Sequence, residues 1–256
     1  MDTYHPETYW SKVASRIKSR QGQNVIAGDD EPYYRYKRQR FLKMLSSIAF
    51  TGHSVLEIGH GPGGNLDFIN RNFSPRFLAG VDISQNMVDL AKELLPASIE
   101  VQKVNGTTLP FANDSFDIVF SATVLQHNTD EIMLNSLVQE MCRVARKKIY
   151  IFERINDPIA GDDLCLGRPV RYYADLFGKS GFQLGEVEFI NIHASYLTSG
   201  AIRKGLNSST RQEGEPLNKL SVSLQNIILP VSKQIDKLWT KAQDLAKLEF
   251  LHGDSV

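Results

Sequence analysis

The chain predicts an α/β fold, in which a mostly parallel sheet carries helices on both faces. Two observations carry that expectation. From position 53 onward, short apolar runs alternate with segments of helical periodicity, the pattern of strands joined by helical crossovers. The first of these runs leads into Val55-Leu56-Glu57-Ile58-Gly59-His60-Gly61-Pro62-Gly63-Gly64-Asn65, where a strand delivers a carboxylate, a glycine-rich turn and a helix start. Glycines at such a turn let the backbone approach a ligand where a Cβ would clash.

The elements follow in order. Residues 6–20 read as a helix with Pro6 near its start and Tyr9, Val13 and Ile17 on one face. Residues 22–32 are polar and punctuated, hence a loop. A second helix is expected over 33–50, with Tyr34, Phe41, Leu42, Leu45 and Ile48 on its buried side. Strands are expected at 55–58, 77–83, 99–104, 116–121 and 148–152. Helices are expected at 64–72, 84–95 and 129–144, the last with Ile132, Met133, Leu137, Val138, Met141 and Val144 as core positions. Beyond Phe152 the rhythm loosens. A helix is expected over 170–179, a strand over 182–190, then a polar, Gly-containing stretch. An amphipathic run, Leu220–Leu248, follows and is interrupted by Pro230; 248–251 reads as a final strand. The apolar positions of that run suit packing on the same domain, cover for an acceptor site, or a dimer face.

Composition excludes several classes. At 256 residues with zero formal charge, the chain suits one domain with additions and generates no global field for nucleic acid or an acidic membrane. Cys142 and Cys165 are too few for a disulfide framework, and no His, Cys and carboxylate set has metal-ligand spacing. No signal core or bilayer-spanning run occurs, so a cytoplasmic protein, monomer or homodimer, is expected.

The glycines fit both G-x-G-x-G and G-x-G-x-x-G, and alone they would allow a nicotinamide-linked oxidoreductase. Glu57 sharpens the choice. A carboxylate beneath an anionic pyrophosphate is repulsive, whereas the sulfonium and ammonium of S-adenosylmethionine are attracted to it. About twenty residues on, Gly80-Val81-Asp82-Ile83-Ser84 ends the second strand. Asp82 there suits the hydroxyls of an adenosine ribose. Alternatively it caps the next helix, a role expected of Ser84.

Further along come Asn105-Gly106, Leu109-Pro110-Phe111, Ser115-Phe116-Asp117-Ile118-Val119 and Val124-Leu125-Gln126-His127. Together with the glycine turn and Gly80–Ser84, these motifs resemble class I S-adenosylmethionine-dependent methyltransferases, and within them the type-11 methyltransferase-domain group. The resemblance covers about residues 53–190. It implies a seven-stranded sheet of order 3-2-1-4-5-7-6 with the last strand antiparallel. With the elements read on either side of it, the chain divides into an N-terminal helical cap (1–50), a cofactor-binding core (51–190), and a helical insertion with a C-terminal element completing the fold (191–256). The resemblance places Glu57, Gly59, Gly61 and Gly63 at the methionine part of S-adenosyl-L-methionine and Asp82 at the ribose, with Ile83 as a further cofactor-binding residue. Asn105 falls where the group usually has Asp; its amide oxygen can face the adenine amino group, or Asn105-Gly106 is simply a turn. Gly106 offers a backbone N–H to the adenine ring, and Ser121 and Gln126 belong to the segment beside the sulfonium.

His127 is the candidate catalytic residue, since histidine suits a general base near neutrality. The commoner role is structural, with the imidazole bonded to a loop. His60 is expected to shape the turn, and His53 and His193 to be structural. Tyr33–Arg40 places tyrosines and cations on one helix, either packed and solvated or turned toward cofactor or acceptor. Tyr9-Trp10 suits a buried anchor or a lid. Glu153-Arg154 ends the fifth strand, at the sheet edge where ligands bind. The expected function is methyl transfer to oxygen of a small molecule, such as a sugar, glycolipid or secondary metabolite. The alternatives are a nicotinamide-linked oxidoreductase and a cofactor-binding subunit without catalysis.

Overall fold

The computed structural model describes residues 5–19, 31–208, 210, 217–239 and 244–253. Most of the expected 22–32 loop lies outside the described residues. Seven strands form the main sheet: β1 (Ser54–Ile58), β2 (Phe77–Asp82), β3 (Glu100–Lys103), β4 (Phe116–Ala122), β5 (Ala145–Ile155), β6 (Phe182–Phe189) and β7 (Asp244–His252). Their spatial order is 3-2-1-4-5-7-6, and β7 runs antiparallel to both β5 and β6. A two-residue ladder, Ala160–Gly161 with Leu166–Gly167, stands apart from it.

Eight helices are described: α1 (Pro6–Lys18), α2 (Pro32–Leu45), α3 (Gly64–Asn72), α4 (Gln85–Leu94), α5 (Glu131–Val144), α6 (Val170–Gly178), α7 (His193–Leu206) and α8 (Lys219–Leu238). Proline opens α1 and α2, where its missing N–H costs nothing. Ser84 caps α4 by accepting from the Met87 N–H, and Asp130 caps α5 by accepting from Ile132 and Met133. The sheet separates two cores. One lies under α5 and α6 and includes Leu137, Met141, Tyr173 and Phe177. The other lies under α2, α3 and α4 and includes Phe41, Leu45, Leu66 and Val88. Val13, Ala14 and Ile17 of α1 pack on Met87 and Leu90 of α4.

Several expectations are corrected or refined, and Ile132, read as a core position of α5, is 80% exposed. In α2 the buried tyrosine is Tyr33, while Tyr34 is exposed, and the helix ends at Leu45, so that Phe50 instead packs edge-on against Phe73. Residues 193–206, read only as polar, Gly-containing sequence within a helical insertion, form α7. The amphipathic stretch does not run to Leu248: α8 ends at Leu238, and Leu245, Ala246 and Leu248 lie buried in β7 between two other strands. Pro230 does not break α8, because it sits on the exposed side, where the unpaired carbonyl one turn back reaches water.

Candidate functional site

The carboxyl ends of β1, β2 and β4 border a cavity of about 620 Å³, closed on the far side by α1 and α2. Open α/β sheets bind ligands at this edge. After Ile58 the chain turns back over β2, with the Gly59 and His60 N–H groups donating to the Val81 carbonyl at 2.7 and 3.2 Å. Gly59 has φ +70°, and a Cβ there would lie 2.4 Å from a Val124 methyl. Gly61 has φ +54°, and a Cβ there would meet no protein atom within 4 Å. That open backbone faces the cavity.

Asp82 holds the turn in place. Its carboxylate accepts from the Gly61 N–H at 2.9 Å and the Ser84 N–H at 2.8 Å. Glu57 is buried; one oxygen accepts from the Asn65 amide at 2.6 Å, and Asn65 in turn accepts from Arg38. Its other oxygen, Oε2, is buried with no hydrogen-bond partner. Burial pushes the Glu57 carboxyl up to about 8, against the pull of Asn65 and Arg38. His60 Nδ1 contacts the Gly61 carbonyl at 2.6 Å, which makes Nδ1 the donor. Nε2 is then an acceptor, and it too is buried without a partner. Burial drives His60 toward its neutral form and likewise raises the Asp82 carboxyl.

The wall facing the glycine turn is the segment after β4, where Leu125–His127 forms a single 3₁₀ turn. Glu153, fully buried, accepts from the N–H groups of Val124, Leu125 and Gln126, each at 3.0 Å. Burial pushes its carboxyl up to about 7, and those amides oppose the rise. Arg168, also fully buried, donates to the carbonyls of Leu125 and Asn128 at 3.0 Å and to Glu131 at 2.9 Å. His127 Nδ1 meets the Leu164 carbonyl at 2.8 Å, so its Nε2 accepts from the Gln126 amide at 3.2 Å. Trp10 stands edge-on to the imidazole with ring centres 5.0 Å apart.

Of the residues singled out in the sequence, Glu57, Gly59, Gly61, Asp82, Ile83, Gly106, Gln126 and His127 meet around this cavity. Three do not line it. Gly63 lies behind the turn against Leu95. Ser121 is buried and donates to Glu153. Asn105 is engaged in its own turn, accepting from the Thr107 and Thr108 N–H groups at 3.0 and 2.9 Å.

Two motifs brace the fold instead of the cavity. Arg143 donates to the Leu109 and Phe111 carbonyls, and Glu140 accepts from the Leu109 N–H, stapling Leu109-Pro110-Phe111 to α5. Asp117 ties β4 to β1 through Ser54. His60, expected only to shape the turn, lines the cavity, and so do Lys37 and Arg38 of the helix weighed between solvated packing and facing cofactor or acceptor. Among the described residues, no three His, Cys, Asp or Glu side chains gather as a metal site. None of the described helices is long and apolar enough to cross a membrane.

Residues 55–148 match the family described as Methyltransferase domain. With the sheet order above, residues 55–148 are thus similar to the domain of class I S-adenosylmethionine-dependent methyltransferases. Phosphoethanolamine N-methyltransferase 1 of Arabidopsis thaliana is 31% identical over 83 residues, covering 31% of this chain and 17% of that protein. Phthiotriol/phenolphthiotriol dimycocerosates methyltransferase of Mycobacterium tuberculosis is 28% identical over 98 residues, covering 38% and 36%. The chain thus spans little more than a third, at most, of the length of these curated relatives. Magnesium protoporphyrin IX methyltransferase from Synechocystis, solved with bound S-adenosylhomocysteine, superposes with a TM-score of 0.57 at 12% identity, covering 96% of this chain and 97% of that one.

Proposed function

We propose that the protein transfers the methyl group of S-adenosylmethionine to a hydroxyl of a small-molecule acceptor. The observation that carries the reading is the partnerless Glu57 Oε2, a buried acceptor beside an open glycine backbone. It fits the ammonium of the cofactor and would repel a pyrophosphate. His60 Nε2 and the remaining lone pairs of Asp82 would accept from the ribose hydroxyls. Ile83 and Gly106 would flank the adenine.

S-adenosylmethionine, when bound, supplies an activated methyl on a sulfonium, so the protein needs no covalent chemistry. Its residues position the acceptor and exclude water. Trp10, Val13, Tyr34 and Phe41 give the acceptor side an apolar wall, while Lys37 and Arg38 suit an anionic group on the acceptor. His127 would take the hydroxyl proton through Nε2, whose lone pair must first leave the Gln126 amide it accepts from at 3.2 Å, its tautomer set by the bond from Nδ1 to Leu164. Relatives named for phosphoethanolamine and for phthiotriol dimycocerosates agree with a small or lipid-like acceptor.

Calorimetric titration tests the cofactor reading. S-adenosylhomocysteine should bind and NAD should not; the reverse result would restore the oxidoreductase alternative. With an acceptor in hand, His127→Ala should lower kcat by about 10²–10⁴-fold, the usual worth of a general base. Unchanged turnover at saturating acceptor would remove His127 from the chemistry and leave it the loop-positioning role. Cofactor binding without turnover on any acceptor would favour the non-catalytic reading.

A further inference from the structure

The hairpin of α7 and α8 is built inside out. On α8 the side turned to the protein is mostly polar: Ser221, Gln225, Ser232 and Asp236 are all buried. They meet polar groups of α7, where Ser195 donates its N–H to Asp236 at 3.1 Å and its hydroxyl lies 3.0 Å from that of Ser232. The opposite side is apolar and open. Leu220, Ile227, Val231 and Leu238 are 61%, 69%, 63% and 89% exposed. At 3.6 residues per turn these four fall within about 40° of arc, a single stripe along the helix. Trp239, at its end, is 45% exposed. Rotating α8 to bury the stripe would strand Asp236 and the serines, so the hairpin cannot hide its apolar side against its own domain.

Charge selects the occupant. The charged side chains of the two helices are Arg203, Lys204, Lys219, Lys233, Lys237 and Asp236. The one acid, Asp236, is buried, and Lys204, Lys219 and Lys237 are exposed. The chain's zero net charge conceals this local excess. A two-fold dimer through the stripe would bring the same lysines from both copies together with no acid on either helix to pair them. An acidic bilayer supplies the missing charge, and a helix with an apolar stripe, flanking lysines and a terminal tryptophan suits its interface. The hairpin also borders the cavity wall: Arg203 donates to the Tyr34 hydroxyl at 2.7 Å, and Lys233 lies 4.5 Å above the Tyr36 ring.

We propose that the α7–α8 hairpin docks on an anionic phospholipid surface, with the stripe among the acyl chains and the lysines at the headgroups. The test is co-sedimentation of the full chain with phosphatidylcholine vesicles, with and without phosphatidylglycerol. Binding should require phosphatidylglycerol and weaken with salt. Ile227→Asp with Val231→Asp should lower the partition coefficient by about tenfold or more, from the loss of two buried apolar side chains. Lys219→Glu with Lys237→Glu should lower it by about fivefold or more per residue. Retained binding of S-adenosylhomocysteine by both variants would show that they fold, independently of any acceptor. Absence of vesicle binding by the folded wild-type chain would overturn the proposal. So would a dimer in light scattering that the Asp variant dissociates, which would assign the stripe to a second copy.

Discussion

Glu57 combines two properties that rarely coexist, full burial and an acceptor atom with nothing to accept. With no ligand cation at Oε2, burial outweighs the pull of Asn65 and Arg38 and pushes its carboxyl up to about 8, so near neutrality it holds its proton. A bound ammonium favours the carboxylate. Binding therefore expels a proton at pH 6.5–7, and affinity should rise about tenfold per pH unit until Glu57 itself ionises in the free protein, at about 8. Calorimetry of S-adenosylhomocysteine in two buffers of different ionisation enthalpy should register release of nearly one proton. Glu57→Gln should abolish that release and weaken binding by about 10- to 100-fold, the range for a hydrogen bond to a charged group. An unaltered proton count in the variant would place the ammonium elsewhere. Glu57 was legible in the sequence because its significance lies in what surrounds it along the chain: a strand before, glycines after. Glu153 was placed at the sheet edge, but its grip on the turn was not legible, and Arg168 was not singled out at all. Their partners are backbone groups 25 or more residues away, and no side-chain pattern announces which amide or carbonyl will arrive beside them.

At the scale of elements, the single turn Leu125–His127 has too few internal hydrogen bonds to fix its own position. Glu153 grips its amides from one side and Arg168 its carbonyls from the other. Arg168→Leu would leave the Leu125 and Asn128 carbonyls without that donor. The Leu125 carbonyl keeps the Asn128 N–H at 3.2 Å, so at about 1–3 kcal/mol for the one unsatisfied carbonyl, that of Asn128, a loss of about 1–3 kcal/mol in urea unfolding is expected. His127 sits at the end of this turn, so kcat should fall together with stability; a stable variant with unchanged kcat would refute the clamp. The helices the sequence misjudged fail for a related reason. Gly200, Gly205 and two serines lower the helical propensity of α7, and the polar seam with α8 gives one of them, Ser195, its partners. In β7, Lys247 disguises a central strand, since a lysine there is tolerated only because Glu186 and Glu188 reach it at 3.3 and 2.8 Å.

The whole molecule divides its labour between the two edges of the sheet. The carboxyl edge leaves Glu57 and His60 with unmet hydrogen-bonding capacity, while the amino edge is fully bonded around Asp117. That carboxylate accepts from the Ser54 N–H and hydroxyl, both at 3.0 Å, and lies 3.1 Å from Arg76 and 3.2 Å from Lys147. It thereby joins the starts of β1, β4 and β5 and the approach to β2. Burial alone would raise its carboxyl, but the Ser54 amide, Lys147, the Ser54 hydroxyl and Arg146 together hold it well below the usual range. A carboxyl depressed in the folded state stabilises above the unfolded-state value, near 4, and loses that contribution as pH falls further. Asp117→Asn should therefore cost about 2–3 kcal/mol at pH 7, mainly from two buried hydrogen bonds weakened and the charge removed. The difference from wild type should shrink steadily below pH 4, as the wild-type carboxylate takes up its proton. Urea titrations at pH 7, 4 and 3 read this directly. S-adenosylhomocysteine affinity at pH 7, measured where the variant is still folded, should stay within about twofold, because Asp117 lies at the other end of strands that reach the cavity. A large loss of affinity with little loss of stability would mean that the two edges are not separate and that the amino-edge ties set the geometry of the glycine turn.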